Sequence, residues 1–365
     1  MIPIAAPSLS PLESRYVREA IESGWVSSRG PFVGRFEQTF ASFCGVRHGV
    51  ACASGTTALH LILAALGLGP GDEVVVPAFT MIGTVNPVLY VGATPVVADA
   101  DPGTWNVTPE SVRAALSDRT KAIVVTHVYG LPVDVSAVRA AAGGIPIVED
   151  AAEAHGARVR GRSVSALGRA AAYSFYANKI LTTGEGGMVV TDDANLAERC
   201  RALADHAFGG DEARYVHDAV GFSYRMSNLQ AAVGLAQAER AGELVARSRA
   251  VGLRYLRGLQ SVPGLRCQVA PSWAEHVYWV FGLVVEEQFG MSRDTLREQL
   301  AARGIETRAF FHPIHLQPSL RGRFPGVRRP VAERLGECGL YLPSGPGRTD
   351  DEVDEVVAAV RAAAS

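Results

Sequence analysis

Cysteine, charge imbalance and long apolar runs are all scarce in this sequence, and each scarcity narrows the function. The five cysteines, Cys44, Cys52, Cys200, Cys267 and Cys338, are scattered and odd in number, without a C-x-x-C pair. This argues against a disulfide framework and a zinc site, and fits a reducing cytoplasm. Basic and acidic residues nearly balance, 35 against 37, for a formal net charge of −2. With no basic run either, no nucleic-acid partner is expected, and an anionic ligand must be met by a local site. The longest apolar stretch, ALHLILAALGLG, is broken by glycines and reaches charge at Asp72; it is too short for a membrane span. The opening segment MIPIAAPSLSPLESRY lacks a basic region followed by an apolar core, so no secretory signal is expected. Internal repeats and low-complexity tracts are absent as well.

What is present is the ordinary material of a globular protein: 365 residues, 48% hydrophobic and 20% charged, enough for two domains. Short β-branched runs alternate with longer helical patterns over the first two-thirds. The strands are expected at Glu73–Val76, Thr94–Ala98, Lys121–Thr126, Ile145–Glu149, Ala171–Phe175 and Met188–Thr191, with helices at Thr57–Leu66, Pro109–Leu116 and Val133–Ala142 between them. Several of these strands are near-continuous apolar runs, the pattern of strands covered on both faces. The fold class is therefore α/β, a mostly parallel sheet between helices. A long helical stretch, Asn228 to Leu259, breaks softly near Gly242. Beyond it, strand-like Trp279–Val285 and helices near Arg293–Arg303 and Asp351–Ala364 form a smaller α+β unit, which puts a boundary near residue 245.

Three segments carry chemistry. Ala53-Ser54-Gly55-Thr56-Thr57-Ala58 follows a short apolar run and opens a helix, where small residues let backbone N–H groups converge on an anion such as phosphate. The same residues also suit an ordinary N-cap. Ile147-Val148-Glu149-Asp150 puts an acidic pair at the carboxyl end of a buried strand, where open α/β sheets bind ligands. Successive strand side chains face opposite ways, so Glu149 and Asp150 cannot do the same job; one can meet a protonated heterocyclic nitrogen. In isolation such a pair reads more simply as a solvated strand end. Tyr173-Ser174-Phe175-Tyr176-Ala177-Asn178-Lys179 ends in a lysine flanked by the Gly-rich turn Thr183-Gly184-Glu185-Gly186-Gly187. An amine in such a pocket can have its pKa lowered and form a Schiff base, although most lysines are solvated surface residues. The combination is more telling than any member. An acid at 150 and a lysine at 179, on successive strand ends, suit a pyridine ring held between carboxylate and imine, with its phosphate at the helix start.

At these residues the sequence resembles the DegT/DnrJ/EryC1/StrS family of pyridoxal-phosphate (PLP)-dependent sugar aminotransferases. The resemblance runs through GDEVVVPAFT (71–80), GATPVVADAD (92–101), TKAIVVTHVYG (120–130), VEDAAEAHGA (148–157), SFYANKILTTGEGGMV (174–189), RYVHDAVGFSYRMSNLQAAVGLAQ (214–237) and GIETRAFFHPIHLQP (304–318). It implies a fold type I transferase with a large domain, residues 1–245, built on a mostly parallel seven-stranded sheet. A small domain, residues 246–365, follows, and about the first 15 residues are expected to pack on it. By matching positions, Lys179 is the Schiff-base lysine, Asp150 the partner of the ring nitrogen, and Glu153 the neighbour of the ring oxygen where many members have Gln. Ser54, Gly55, Thr56 and Ser174 match the phosphate end, and His206 and Arg225 match positions near the active site, which implies a catalytic role for His206 and a cofactor contact for Arg225. Arg308, His312 and His315 lie in the block that usually faces the nucleotide-sugar in the family; taken singly, the two histidines read more simply as structural.

Two positions depart from the family pattern. Met81 replaces an aromatic ring that stacks on the pyridine, and Ser223 replaces an asparagine that reaches the neighbouring subunit's phosphate. The resemblance further implies a ping-pong reaction with L-glutamate as donor, pyridoxamine phosphate as the intermediate form, and a homodimer whose active sites draw Ser223 and Arg225 from the partner. Within the family the wording is most like the GDP-perosamine synthase branch, which aminates C4 of GDP-4-keto-6-deoxymannose. A dTDP-linked sugar, a 3-keto sugar or a keto-cyclitol are the alternative acceptors. A sugar dehydratase or lyase on the same fold is the rival class, but dehydratase relatives carry histidine in place of the lysine.

Overall fold

Valine runs build the centre of the molecule. The computed structural model describes residues 1–208 and 215–364, so Arg214, which opens one of the family-like blocks, lies outside the described residues. Seven strands form the main sheet: β1 (His48–Cys52), β2 (Glu73–Pro77), β3 (Thr94–Ala98), β4 (Thr120–Thr126), β5 (Ile147–Asp150), β6 (Ala170–Ser174) and β7 (Gly187–Thr191). Their order is β1-β7-β6-β5-β4-β2-β3. Strands β3, β2, β4, β5 and β6 pair in parallel, and β7 runs antiparallel between β6 and β1. β2 and β7 are buried along their whole length, as strands covered by helices on both faces must be.

The expected strands all occur, with ends displaced by at most two residues. β1 has no counterpart among them, because His48 and Gly49 dilute its apolar run. The long helical stretch becomes two helices, Asn228–Glu239 and Ala241–Leu259, separated at Arg240 and not at Gly242. Arg240 leaves helical geometry with φ −107 and ψ 10. The helix Ala241–Leu259 then passes through residue 245 without interruption.

A second, antiparallel sheet contains β8 (Leu265–Cys267), β9 (Phe281–Val285), β10 (Arg308–Ala309) and β11 (Gly339–Leu342), in the order β8-β9-β11-β10. β9 begins at Phe281, two residues later than its sequence pattern suggests. Apolar side chains gather into two clusters. The larger surrounds the main sheet; the smaller joins Tyr255 and Leu259 to Leu283, Leu340 and Val356. Full burial of such a side chain stabilises the fold by roughly 1.5–3 kcal/mol. Ile2 belongs to the smaller cluster, and its backbone N–H and C=O bond Gly304 and Glu306 at 2.8 and 3.0 Å. From Ser8 onward the chain turns to the helix Asn228–Glu239, where Gln237 donates to the Ser8 carbonyl at 2.9 Å and to Glu13 at 2.7 Å.

All five cysteines are free thiols, and burial pushes Cys44 and Cys52 up to about 12. Among the described residues no helix is long and apolar enough to cross a membrane.

Candidate active site

The carboxyl edge of the main sheet is where the strands deliver their polar residues. Ser54 follows β1, Thr80 and Met81 follow β2, Thr126 ends β4, Asp150 ends β5 and Ser174 ends β6; all line one cleft of about 330 Å³. An open α/β sheet binds ligands at this edge because strand ends and helix starts meet there.

One wall is the start of the helix Gly55–Ala65. Ser54 is extended at φ −167 and caps the helix: its Oγ accepts from Thr57 N at 3.2 Å, and Thr57 Oγ1 accepts from Ser54 N at 2.9 Å. This reciprocal box occupies Thr57 and leaves the first-turn N–H groups of Gly55 and Thr56 for a ligand. Gly55 is required by proximity, since a Cβ there would sit 2.9 Å from Ser174 Cβ. The strand end carrying Ser174 and the helix start thereby form a cup suited to phosphate.

Asp150 enters the cleft from the floor. It is 6% exposed; Oδ2 accepts from Thr84 Oγ1 at 2.7 Å and Oδ1 from Ala152 N at 3.2 Å. Burial pushes its pKa up, and those two donors, Lys179 and His127 pull it back. Thr84 is itself 2.7 Å from Thr80 Oγ1, which lies 3.1 Å from Thr126 Oγ1. Glu149 faces the other side of β5, as alternation requires, and pairs with the buried His127, Oε2 to Nε2, at 3.0 Å. Val133 N donates to His127 Nδ1 at 3.0 Å, which leaves the ring proton on Nε2, facing the carboxylate. The two acids thus have separate jobs.

Lys179 follows β6 in the turn that β7 closes. Its Nζ lies 3.7 Å from the centroid of the Trp279 ring. Burial lowers its pKa, while Glu153 and Asp150 oppose that shift. Glu153, 3% exposed, accepts from Tyr129 N at 2.7 Å, and its own pKa is raised chiefly by burial. A buried acid, a partly desolvated amine and an anion cup around one cavity fit the ring nitrogen, aldehyde and phosphate of pyridoxal phosphate.

The remaining expected residues are distributed unevenly. Met81 lines the cleft, half exposed, with Sδ accepting from Gly83 N at 2.7 Å. His206, Ser223 and Arg225 form a separate cluster: Arg225 pairs with Asp205, bonds Ser223 Oγ at 3.1 Å and lies 3.3 Å from His206 Nε2. Their loop touches the anion cup from outside, where Ala53 N donates to Tyr224 O at 2.7 Å. Arg308 lines a second hollow that shares Tyr176, Asn178 and Tyr341 with the cleft, and it pairs with Glu306 at 2.8 Å. His312 and His315 are not brought to the cleft. His312 bonds the Leu316 carbonyl at 3.1 Å, and the buried His315 bonds Glu333 at 3.0 Å.

Sequence reasoning missed Thr84, Trp279 and Tyr341 as cleft residues. Thr84 carried a readable hint, standing four residues after Thr80 beyond a strand end. Trp279 and Tyr341 are contributed by chain far from the lysine, and no local spacing marks them.

A mostly parallel seven-stranded sheet with an acid and a lysine at successive strand ends defines a fold type I pyridoxal-phosphate-dependent transferase. The chain belongs to the DegT/DnrJ/EryC1/StrS aminotransferase family, whose model matches residues 7–361. A GDP-perosamine synthase of Caulobacter vibrioides is 43% identical over 364 residues, 98% of this chain and 97% of that protein. One from Vibrio cholerae is 37% identical over 358 residues, again 98% and 97%. Among solved structures, the aminotransferase TlmJ from Streptoalloteichus hindustanus superposes with a TM-score of 0.92 at 36% identity, covering 100% of this chain and 98% of that one. The candidate sugar aminotransferase Spr1654 from Streptococcus pneumoniae, solved in a PLP form, gives a TM-score of 0.92 at 25% identity over 100% and 98% of the two chains.

Proposed function

We propose that this enzyme uses pyridoxal phosphate to move the amino group of L-glutamate onto C4 of GDP-4-keto-6-deoxymannose. The observation that carries the reading is the convergence of Lys179 and Asp150 in one cleft that opens on the start of the helix Gly55–Ala65. The choice of acceptor is supported by the GDP-perosamine synthases that are 43% and 37% identical over nearly the whole chain.

When bound, the cofactor supplies an aldehyde that takes the amino group and a protonated ring that withdraws electrons from the reacting carbon. Asp150 is the partner that keeps the ring nitrogen protonated, held in place by Thr84 and Ala152 N–H. Gly55, Thr56 and Ser174 take the phosphate, with Ser54 shaping the turn. Glu153 flanks the ring oxygen, and Met81 covers the ring face with a polarizable thioether. The Lys179 amine, disfavoured as a cation by burial, takes the proton from the donor's α-carbon and returns it on the far side of the transfer. Arg308 meets the nucleotide-sugar from the adjoining hollow.

Ser223, Arg225 and His206 stand outside the cleft of their own chain, so in this reading they serve the cleft of a second copy, and the working unit is a cytoplasmic homodimer. In this reading the large PLP-binding domain is residues 1–245 and the small one 246–365; the smaller apolar cluster draws mostly on the second, while the larger also takes in Val284, Phe310 and Leu335. A panel of nucleotide keto-sugars offered to the pyridoxamine form tests the acceptor. Fastest amination of GDP-4-keto-6-deoxymannose is expected; preference for a dTDP-linked sugar, a 3-keto sugar or a keto-cyclitol overturns that choice.

A further inference from the structure

We propose that Trp279 is a positioning residue for the reaction: its indole face is the seat on which the freed Lys179 ammonium rests between proton transfers. The inference builds on the reading of Lys179 as the cofactor's lysine. Two contacts tie the same ring to the lysine and to the residue before it. Lys179 Nζ lies 3.7 Å from the ring centroid, and the indole Nε1–H donates to the carbonyl of Asn178, the residue before the lysine, at 2.8 Å. One side chain therefore holds both the backbone entry to Lys179 and its charged end.

The ring is itself immobilised. Trp279 is 5% exposed. Its backbone N–H donates to Tyr129 O at 3.1 Å, and Val277 N donates to Gly130 O at 3.1 Å. Gly130 has φ +94, and a Cβ there would lie 3.1 Å from both Trp279 N and the Glu153 carbonyl, so the approach depends on its being glycine. Tyr129 N in turn donates to Glu153. A turn after β4, a carboxylate after β5, the lysine after β6 and the segment entering β9 are thus tied together through Trp279.

The chemistry follows from the ring's quadrupole, which attracts an ammonium and not a neutral amine. Trp279 opposes the effect of burial and keeps the free lysine able to hold the proton it must later return. Among the described residues, Asp150 and Glu153 from β5 and its following turn act directly on that amine, Glu185 from the turn before β7, Tyr176 on its own segment and Tyr341 on β11 line the same cleft, and His155 lies behind. None of them is removed by substituting Trp279.

The test uses holoenzyme of wild type, Trp279→Phe and Trp279→Leu, with Lys179→Ala as reference. Single-turnover rates with glutamate are read across pH, beside steady-state kcat and KM and the cofactor's dissociation constant. With Trp279→Leu the yellow, lysine-linked absorption band persists, kcat falls about tenfold with KM for either substrate within about twofold, and the limb set by Lys179 moves about one pH unit lower. Trp279→Phe restores most of the rate and of the pH shift. An unmoved pH profile in Trp279→Leu, or equal losses in both variants, overturns the proposal. Persistence of the lysine-linked band in Lys179→Ala would instead overturn the underlying reading, so the two failures are distinct.

Discussion

Thr84 donates its hydroxyl to Asp150 Oδ2 at 2.7 Å, and among the described residues this is the one side-chain hydroxyl bond made to the acid proposed to meet the cofactor's ring nitrogen. Burial alone pushes the Asp150 carboxyl toward its neutral form, the form that cannot pair with a protonated ring nitrogen. Thr84→Val keeps the shape and removes the donor. A hydrogen bond to a charged group is worth about 1.5–3 kcal/mol, so cofactor affinity should fall at least tenfold. Titration of the apo-protein with pyridoxal phosphate, followed by fluorescence, measures it; unchanged affinity would show that Ala152 N–H alone holds the carboxylate.

How far such a site can be read without coordinates depends on where its residues come from. Asp150 and Lys179 were legible because β5 and β6 are buried strands whose apolar runs stop abruptly at polar residues. The cup at Ser54–Thr56 was legible because capping chemistry is local. Trp279 was not, since it reaches the lysine from a sequence distance of 100 residues (279 − 179), and only the pairing of its segment with Tyr129–Gly130 creates the contact. The same limit applies to His315, whose position in a family-like block says nothing of the direction in which its ring points. β1 escaped notice because His48 and Gly49 dilute its own apolar run, and its register against β7, from His48↔Thr191 to Cys52↔Gly187, is set by a strand more than a hundred residues later.

Gly187 shows how closely that pairing is built. A Cβ on it would meet Ser54 C and O at 2.2 Å, and both are backbone atoms that cannot rotate aside. Gly187→Ala must push the turn that carries Ser54 away from β7, spoiling the anion cup along with the sheet edge. We expect a lowered melting temperature and, in whatever folds, a larger loss of affinity for pyridoxal phosphate than for unphosphorylated pyridoxal. Equal losses for the two ligands would place the damage elsewhere.

His315 is expected to hold structure only. It is 3% exposed, its Nε2 bonds Glu333 at 3.0 Å, and Glu333 also receives Arg328 and the N–H of Arg329. Removing the imidazole in His315→Ala leaves a cavity and one carboxylate bond unmade, at a cost of about 1–3 kcal/mol. The melting temperature should therefore drop while KM for the nucleotide-sugar stays within about twofold. A selective rise in that KM would return His315 to the substrate.

His155 makes the sharpest pH prediction. Its ring is fully buried against Phe40, Tyr173 and Phe175, and among the described residues neither nitrogen has a well-aligned hydrogen-bond partner, the Ser174 backbone alone exerting a weak opposing pull. Burial, aided by the Lys179 charge, lowers its pKa to about 3, so the native state keeps it neutral. The unfolded chain instead takes up a proton below about 6.5. A folded pKa below the unfolded one means the stability associated with the neutral ring is complete above 6.5 and is lost as pH falls toward 3. The slope is about 1.4 kcal/mol per pH unit for one proton. Glu153 works the opposite way over an overlapping range, because its raised pKa lets the native state bind a proton first. The wild-type curve is thus a composite, and the difference against His155→Phe isolates the histidine. That variant should gain about 2 kcal/mol on wild type between pH 7 and pH 5, read from denaturant unfolding at each pH. Parallel curves for the two proteins over that interval would mean that the imidazole finds a proton acceptor in the folded state after all.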